Sequence, residues 1–184
     1  MNEKKDSMSA VKMVVLVAIG AALYGLGGLL SFTVFTNTSL KPAMAVLGLW
    51  SATFGPIVGF LVGFIGHFLT DTFAGWGVWW TWVLGSGICG ALIGLYPTLT
   101  KKSLEDGVFG GKEIAIFIAL SFAANFIGYM ISAILDYFIF AEPLAKVFTQ
   151  QIIASLANTL CIGVIGSIFM KLYANKKKAL TNLE

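Results

Sequence analysis

The chain has 184 residues, 58% of them hydrophobic and only 11% charged. A mean hydropathy of +0.87 excludes an ordinary water-soluble domain, in which about a quarter of residues are charged. The formal charge of +3 comes from lysines clustered beside apolar runs, and no base-reading module accompanies them, which argues against a nucleic-acid partner.

A helix needs about 20 apolar residues to cross about 30 Å of hydrocarbon. The first such run is Val11 to Leu30, preceded by Lys4, Lys5 and Lys12. A signal peptide has similar flanks, but five further apolar segments argue against cleavage. The second segment, Pro42 to Phe54, is short for a full crossing and is expected to tilt or to span only partly. Gly55-Pro56 breaks the chain and opens a third, glycine-rich segment, Ile57 to about Phe73. The fourth runs from about Trp79 to Leu99 and the fifth from about Ile114 to Phe138, with a polar loop between them containing Lys101, Lys102, Glu105, Asp106 and Lys112. Glu142-Pro143 separates the fifth from a long sixth segment, Leu144 to Tyr173. The expected fold is an all-α integral membrane protein: a six-transmembrane-helix bundle forming a single domain over 1–184, with polar cytoplasmic tails at 1–10 and 175–184.

Orientation follows from the lysines, because basic residues near spans stay in the cytoplasm. With the N-terminus inside, ten of the twelve lysines fall inside and only Lys41 and Lys146 outside, so both termini are expected to be cytoplasmic. Gly110-Gly111-Lys112-Glu113 faintly resembles a phosphate loop, but Asp106 stands where its first glycine belongs and Glu113 where it needs Ser or Thr. Any ATP used must therefore be handled by another chain. Cys89 and Cys161 have no metal or redox spacing and read as buried small residues, and no metal site is expected.

The candidate ligand groups gather at the outward end. His67 and Asp71, four residues apart, share one helix face. Intramembrane ionisable groups are unfavourable enough to suggest function, here relaying protons or holding a metal, and the structural alternative is a histidine capped by Asp71. Asn125, Tyr129, Ser132 and Asp136 form a polar stripe on the fifth segment, and Gln150 and Gln151 begin the sixth at the same level. Interhelical bonding is the alternative role for Asn125, and Asn158 reads as structural. Trp76, Trp79, Trp80 and Trp82 crowd the turn between segments three and four, as interface anchors or as a movable lid over a flat or bulky ligand. Asn37, in the polar loop Thr33 to Ser39, is placed to close the same mouth. Lys41 and Lys146 face Asp71, Asp136 and Glu142, and without arginine there is no bidentate clamp for an anion, so a neutral or weakly cationic solute fits best. On segment one, Ala18-x-x-x-Ala22 supplies a strip of small residues suited to close helix docking or ordinary packing.

This small, lysine-inside, six-segment chain with Ala18 and Ala22 resembles the substrate-binding S components of energy-coupling-factor (ECF) transporters, an ABC-type vitamin uptake system. The tract Phe54-Gly-Pro-Ile-Val-Gly-Phe-Leu-Val-Gly-Phe-Ile-Gly-His67, with Asp71, Trp79-Trp80-Thr-Trp82-Val83 and Ser86-Gly87, is similar to one S-component family that includes cobalamin transporters and is often labelled riboflavin transporter. The resemblance implies a multi-pass protein of the bacterial plasma membrane, without an ATPase site or cofactor of its own. It binds a vitamin at the outer face and tilts in the lipid to release it. It docks through Ala18 and Ala22 on a transmembrane coupling subunit driven by two cytoplasmic ATPases. Cobalamin, rich in amides for Asn and Gln to meet, is the first expected substrate, and riboflavin, whose ring would stack on tryptophan, is the second. A stand-alone carrier or an intramembrane enzyme using His67 and Asp71 is the remaining alternative.

Overall fold

The computed structural model describes residues 9–101 and 104–181, so Lys4, Lys5 and Lys102 lie outside the described residues. In chain order the elements are α1 (Ala10–Gly27), the antiparallel strands β1 (Phe32–Phe35) and β2 (Thr38–Leu40), α2 (Met44–Phe54), α3 (Pro56–Ala74), α4 (Trp80–Ile93), α5 (Tyr96–Leu99), α6 (Gly111–Phe140), α7 (Leu144–Cys161) and α8 (Ser167–Thr181). A single π turn, Ile162–Gly166, joins α7 to α8.

Among the described residues, five stretches are long and apolar enough to cross a membrane: Ala10–Gly27, Pro56–Ala74, Trp80–Leu99, Gly111–Phe140 and Leu144–Thr181. The sixth helix, α2, has 11 residues. At 1.5 Å per residue it is about 16 Å long, roughly half the hydrocarbon thickness. The six-rod expectation therefore resolves into five helices of spanning length and one short helix held among them. The loop Thr33–Ser39 is more ordered than its polar composition suggested. It forms a hairpin whose turn places Asn37 at φ +52°, a conformation asparagine tolerates better than most residues.

Local chemistry sets the boundaries. Ser9 caps α1, its Oγ accepting the Lys12 N–H at 3.3 Å. Gly55, at φ +90°, makes the tight α2–α3 turn, and Pro56 follows as the first helical residue, where its missing N–H is harmless. The Gly110 N–H donates to Glu113 Oε2 at 3.0 Å, so the sequence that faintly resembled a phosphate loop is the N-terminal cap of α6.

The helices are joined through glycine. A Cβ on Gly59 would strike the Gly90 carbonyl oxygen, one on Gly63 the Ser86 carbonyl oxygen, and one on Gly90 the Gly59 carbonyl oxygen, so α3 and α4 meet backbone to backbone. Gly66 admits the ring of Tyr24 from α1, and Gly85 admits Ser132 from α6. Small residues serve this purpose in membranes because lipid supplies no hydrophobic drive for helix pairing, leaving close van der Waals contact to hold the bundle. These pairings also give the directions: α1 and α3 run parallel, and α4 runs against both α3 and α6. The first and last described helices therefore start and finish at the same end, opposite the hairpin. That end is tightly closed. Tyr96, Phe109 and Phe117 pack with rings 5.7 to 6.5 Å apart. Lys171 Nζ donates to the Phe109 carbonyl at 3.0 Å, tying α8 to the folded-back loop. The outer faces are apolar: Val11, Val14, Ile19 and Leu26 on α1 and Ile152, Leu156 and Leu160 on α7 are all exposed. A bundle with apolar side chains outside as well as inside is solvated by lipid.

Candidate functional site

The hairpin end is not closed. A cavity of about 420 Å³ opens beneath β1 and β2, bounded by α1, α3, α4, α6, α7 and the N-terminus of α2. It exists partly because α2 begins low. A Cβ on Gly27, the last residue of α1, would lie 3.2 Å from Ala43, so α2 starts at that level. α3 carries on past it, since Thr70 already sits against Gly28 and the helix continues to Ala74. The space above the first turn of α2 is left to the cavity.

The floor is polar. His67 Nδ1 and Ser86 Oγ share a hydrogen bond of 2.5 Å, and Ser86 Oγ is 2.9 Å from the Tyr129 hydroxyl, beside Asn158. His67 Nε2 lies 3.5 Å from Asp71 Oδ1, and Asp71 Oδ2 accepts the Trp79 backbone N–H at 3.2 Å. This chain of side chains from α3, α4, α6 and α7 is almost completely buried. Tyr24, on α1, donates its hydroxyl to the Met44 sulfur at 3.2 Å and completes the floor. The wall is aromatic, with Trp79 and Trp82 on one side and Trp76 at the mouth. The ring of Trp82 lies 5.1 Å from that of Tyr129, and that of Trp79 lies 5.1 Å from that of Phe140. The roof is tied down from α7, where Gln150 Nε2 donates to the Thr36 carbonyl of the hairpin turn at 2.8 Å.

Charge at the mouth is nearly balanced within the site. Lys146 Nζ lies 2.6 Å from Glu142 Oε2. Lys41 Nζ stands 5.2 Å over the Trp76 ring, close enough for a cation–π contact. Burial holds the Lys41 ammonium below its ordinary pKa of 10.5, and the charge of Asp71 opposes that shift. By formal charge, Asp71 and Asp136 outnumber the one lining lysine that has no carboxylate in direct contact.

The structure brings Asn37, His67, Asp71, Trp76, Trp79, Tyr129, Asp136 and Gln150 together around this cavity. It does not bring the other three candidates there. Trp80 is rotated onto the outer face of α4, 54% exposed and stacked on Phe68 with ring centroids 5.6 Å apart. Asn125 sits fully buried between helices, its Nδ2 donating to the Ser121 carbonyl at 2.8 Å. Gln151 faces α6 instead of the cavity, bonding the Phe126 carbonyl at 3.2 Å. For Trp80 and Gln151 the helical turn decides, since one residue rotates the side chain by about 100°, whereas Asn125 shares the face of Tyr129 but lies one turn deeper, below the floor. Asn158, expected to be structural, lines the floor because it is two turns beyond Gln150 on the same face. Trp82, read from the sequence only as part of the tryptophan cluster, is a wall residue, and Tyr24, not among the sequence candidates, belongs to the floor. The i, i+3 spacing of Trp79 and Trp82 was the available signal for the first, while Tyr24 offered none apart from its place in a glycine-rich helix.

A family model described as "ECF-type riboflavin transporter, S component" matches residues 8–175. The chain belongs to that S-component family. It is a multi-pass protein of the cell membrane. Its relatives include a UPF0397 protein of Aliivibrio salmonicida, 57% identical over 176 residues that cover 95% of this chain and 96% of the relative. Another, from Vibrio atlanticus, is 57% identical, covering 95% of this chain and 97% of the relative. A more distant one from Lactococcus lactis is 47% identical, covering 90% and 92%. S components of this class are vitamin transporter subunits that work with a membrane coupling subunit and ATPases. On this S component, Ala18 and Ala22 lie exposed on the outer face of α1, away from the cavity.

Proposed function

We propose that this S component captures a flat heteroaromatic vitamin, with riboflavin the leading candidate, in the cavity beneath the hairpin and hands it inward as part of an ATP-driven importer. The observation that carries this reading is the cavity itself: about 420 Å³, with indoles on one wall and a hydrogen-bonded floor of His67, Ser86, Tyr129 and Asn158. Pockets of about 300 to 1,000 Å³ enclose molecules the size of a tricyclic vitamin. Aromatic walls favour flat rings, and a few placed polar groups read the ring edge.

Cobalamin, the first expectation from sequence, gives way here to riboflavin. A corrin carrying its nucleotide loop is far larger than this space, and the matching family model is described by riboflavin. The hairpin end is taken as the outer face on the lysine distribution, with both termini cytoplasmic. Docking on the coupling subunit is assigned to the exposed Ala18 and Ala22, whose small side chains let a partner helix approach closely. Two ATPases of the partner complex supply the energy, leaving this chain without a catalytic step.

The test is titration of the purified full-length chain with riboflavin and with cobalamin, followed by tryptophan fluorescence. Submicromolar quenching by riboflavin alone supports the reading, and binding of cobalamin alone overturns the ligand assignment. Copurification with a coupling subunit, lost in Ala18→Trp or Ala22→Trp while riboflavin binding persists, supports the docking face. Unaltered copurification with both variants removes it.

A further inference from the structure

The indoles of the cavity wall are held by one carboxylate. Asp136, near the end of α6, is 2% exposed. Its Oδ1 accepts the Trp79 indole N–H at 2.8 Å and the Thr81 hydroxyl, and its Oδ2 accepts the Trp82 indole N–H at 2.8 Å. Among the described residues no lysine pairs with it, since Lys146 is engaged by Glu142 and Lys41 stands over Trp76. Burying a carboxylate without a cation is strongly unfavourable unless hydrogen bonds satisfy its oxygens, and here neutral donors do all of that work.

The three donors come from four consecutive residues, Trp79 to Trp82, at the start of α4. An indole has a single N–H, so anchoring that donor on a buried acceptor restricts how the ring can turn on its Cβ. Both rings then line the cavity, Trp82 against Tyr129 and Trp79 against Phe140. Trp80, which lies between them, is turned outward and packs on Phe68.

The geometry points to Asp136 as a positioning residue that sets the orientation of the two stacking indoles, so that ligand affinity depends on it through Trp79 and Trp82. This rests on the reading of the cavity as the ligand site. Asn at position 136 would keep the shape but replace one acceptor oxygen with an NH2 group, setting donor against donor at one indole. Phe at position 82 would keep a ring without the N–H. The two changes then act on one interaction and are not additive.

The experiment uses the full chain in lipid nanodiscs, comparing Asp136→Asn, Trp82→Phe and the double variant. In the unliganded protein, Asp136→Asn is expected to lose tryptophan fine structure in near-UV circular dichroism. Its riboflavin Kd is expected to rise about tenfold, the effect of losing one buried hydrogen-bonded contact. The double variant is expected to bind no more weakly than the weaker single variant. Multiplying effects in the double variant, or an unchanged near-UV spectrum in Asp136→Asn, would overturn the assignment. If no vitamin binds the wild type, the proposed function fails, while the spectrum of the unliganded protein still decides this inference. Should Asp136→Asn fail to fold, Thr81→Val takes its place by removing one donor and leaving the carboxylate. Increased acrylamide quenching of tryptophan is then expected, and unchanged quenching overturns the proposal.

Discussion

The two halves of α3 do opposite things with the same helical geometry. In its first half, Gly59 and Gly63 bring the backbone against α4 so closely that a methyl group has nowhere to go. One turn past Gly63, His67 and then Asp71 replace glycine on the inner side, and the interface opens into a polar cavity. The lower seam leaves no space for a solute or for sliding; the upper half holds a hydrogen-bonded floor and an aromatic wall. The lesson is that the cavity is held open by the seam beneath it. Helices clamped backbone to backbone at one end carry their side chains at the other end as rigid arms, which is what a preorganised binding site needs.

The comparison breaks most severely if the seam is filled. Gly59→Leu is expected to destabilise the bundle by about 3 kcal/mol or more, because the obstacle is the backbone of Gly90 and not a movable side chain. Thermal unfolding in detergent would read this, and a wild-type midpoint would show that the seam is not the clamp. A smaller change, confined to the upper half, is Tyr129→Phe. Removing the hydroxyl from the floor network is expected to weaken riboflavin binding about tenfold while moving the unfolding midpoint far less than Gly59→Leu does. Equal losses of binding and stability would erase the distinction between the two halves.

The pH dependence sharpens the same contrast at the mouth. Lys41 has its pKa lowered in the folded protein, so between that value and the ordinary 10.5 the unfolded chain binds more protons than the folded one. Stability contributed by Lys41 therefore rises with pH across this window and is complete above it. Unfolding midpoints measured across a pH series should show that rise in the wild type and a flatter profile in Lys41→Met; parallel profiles would place Lys41 in a more solvated setting. The smallest effect is expected from Trp80→Ala. Its ring stacks on Phe68 at the surface, so riboflavin affinity should change less than about twofold, the consequence of losing an exposed contact remote from the ligand. A tenfold loss would put Trp80 in the wall after all.

Much of this was readable in the chain. Apolar runs located the helices within a few residues, except that the last continues from Tyr173 to Thr181, since spanning lipid demands length and hydrophobicity that leave a strong signal while a polar extension does not. Gly55-Pro56 marked the tight turn, and the Trp76–Trp82 cluster marked the neighbourhood of the site. Individual facing was harder to read. Trp79, Trp80 and Trp82 are the same residue type within four positions, yet only two reach Asp136, and Gln150 and Gln151 part company in the same way. The hairpin was hidden as well, because Phe32–Leu40 is too short for a periodic signal and pairs only once its ends are brought together.

By itself the sequence determined the solvent, the number of apolar segments and the end at which polar groups collect, because each of these follows from local composition. Only the tertiary structure decided that the short α2 begins low enough to leave a cavity above it, which glycines become a seam, and which indoles share one carboxylate. Those outcomes depend on contacts between residues as far apart as Trp79 and Asp136, where the rotation of one helix relative to another settles which side chains meet.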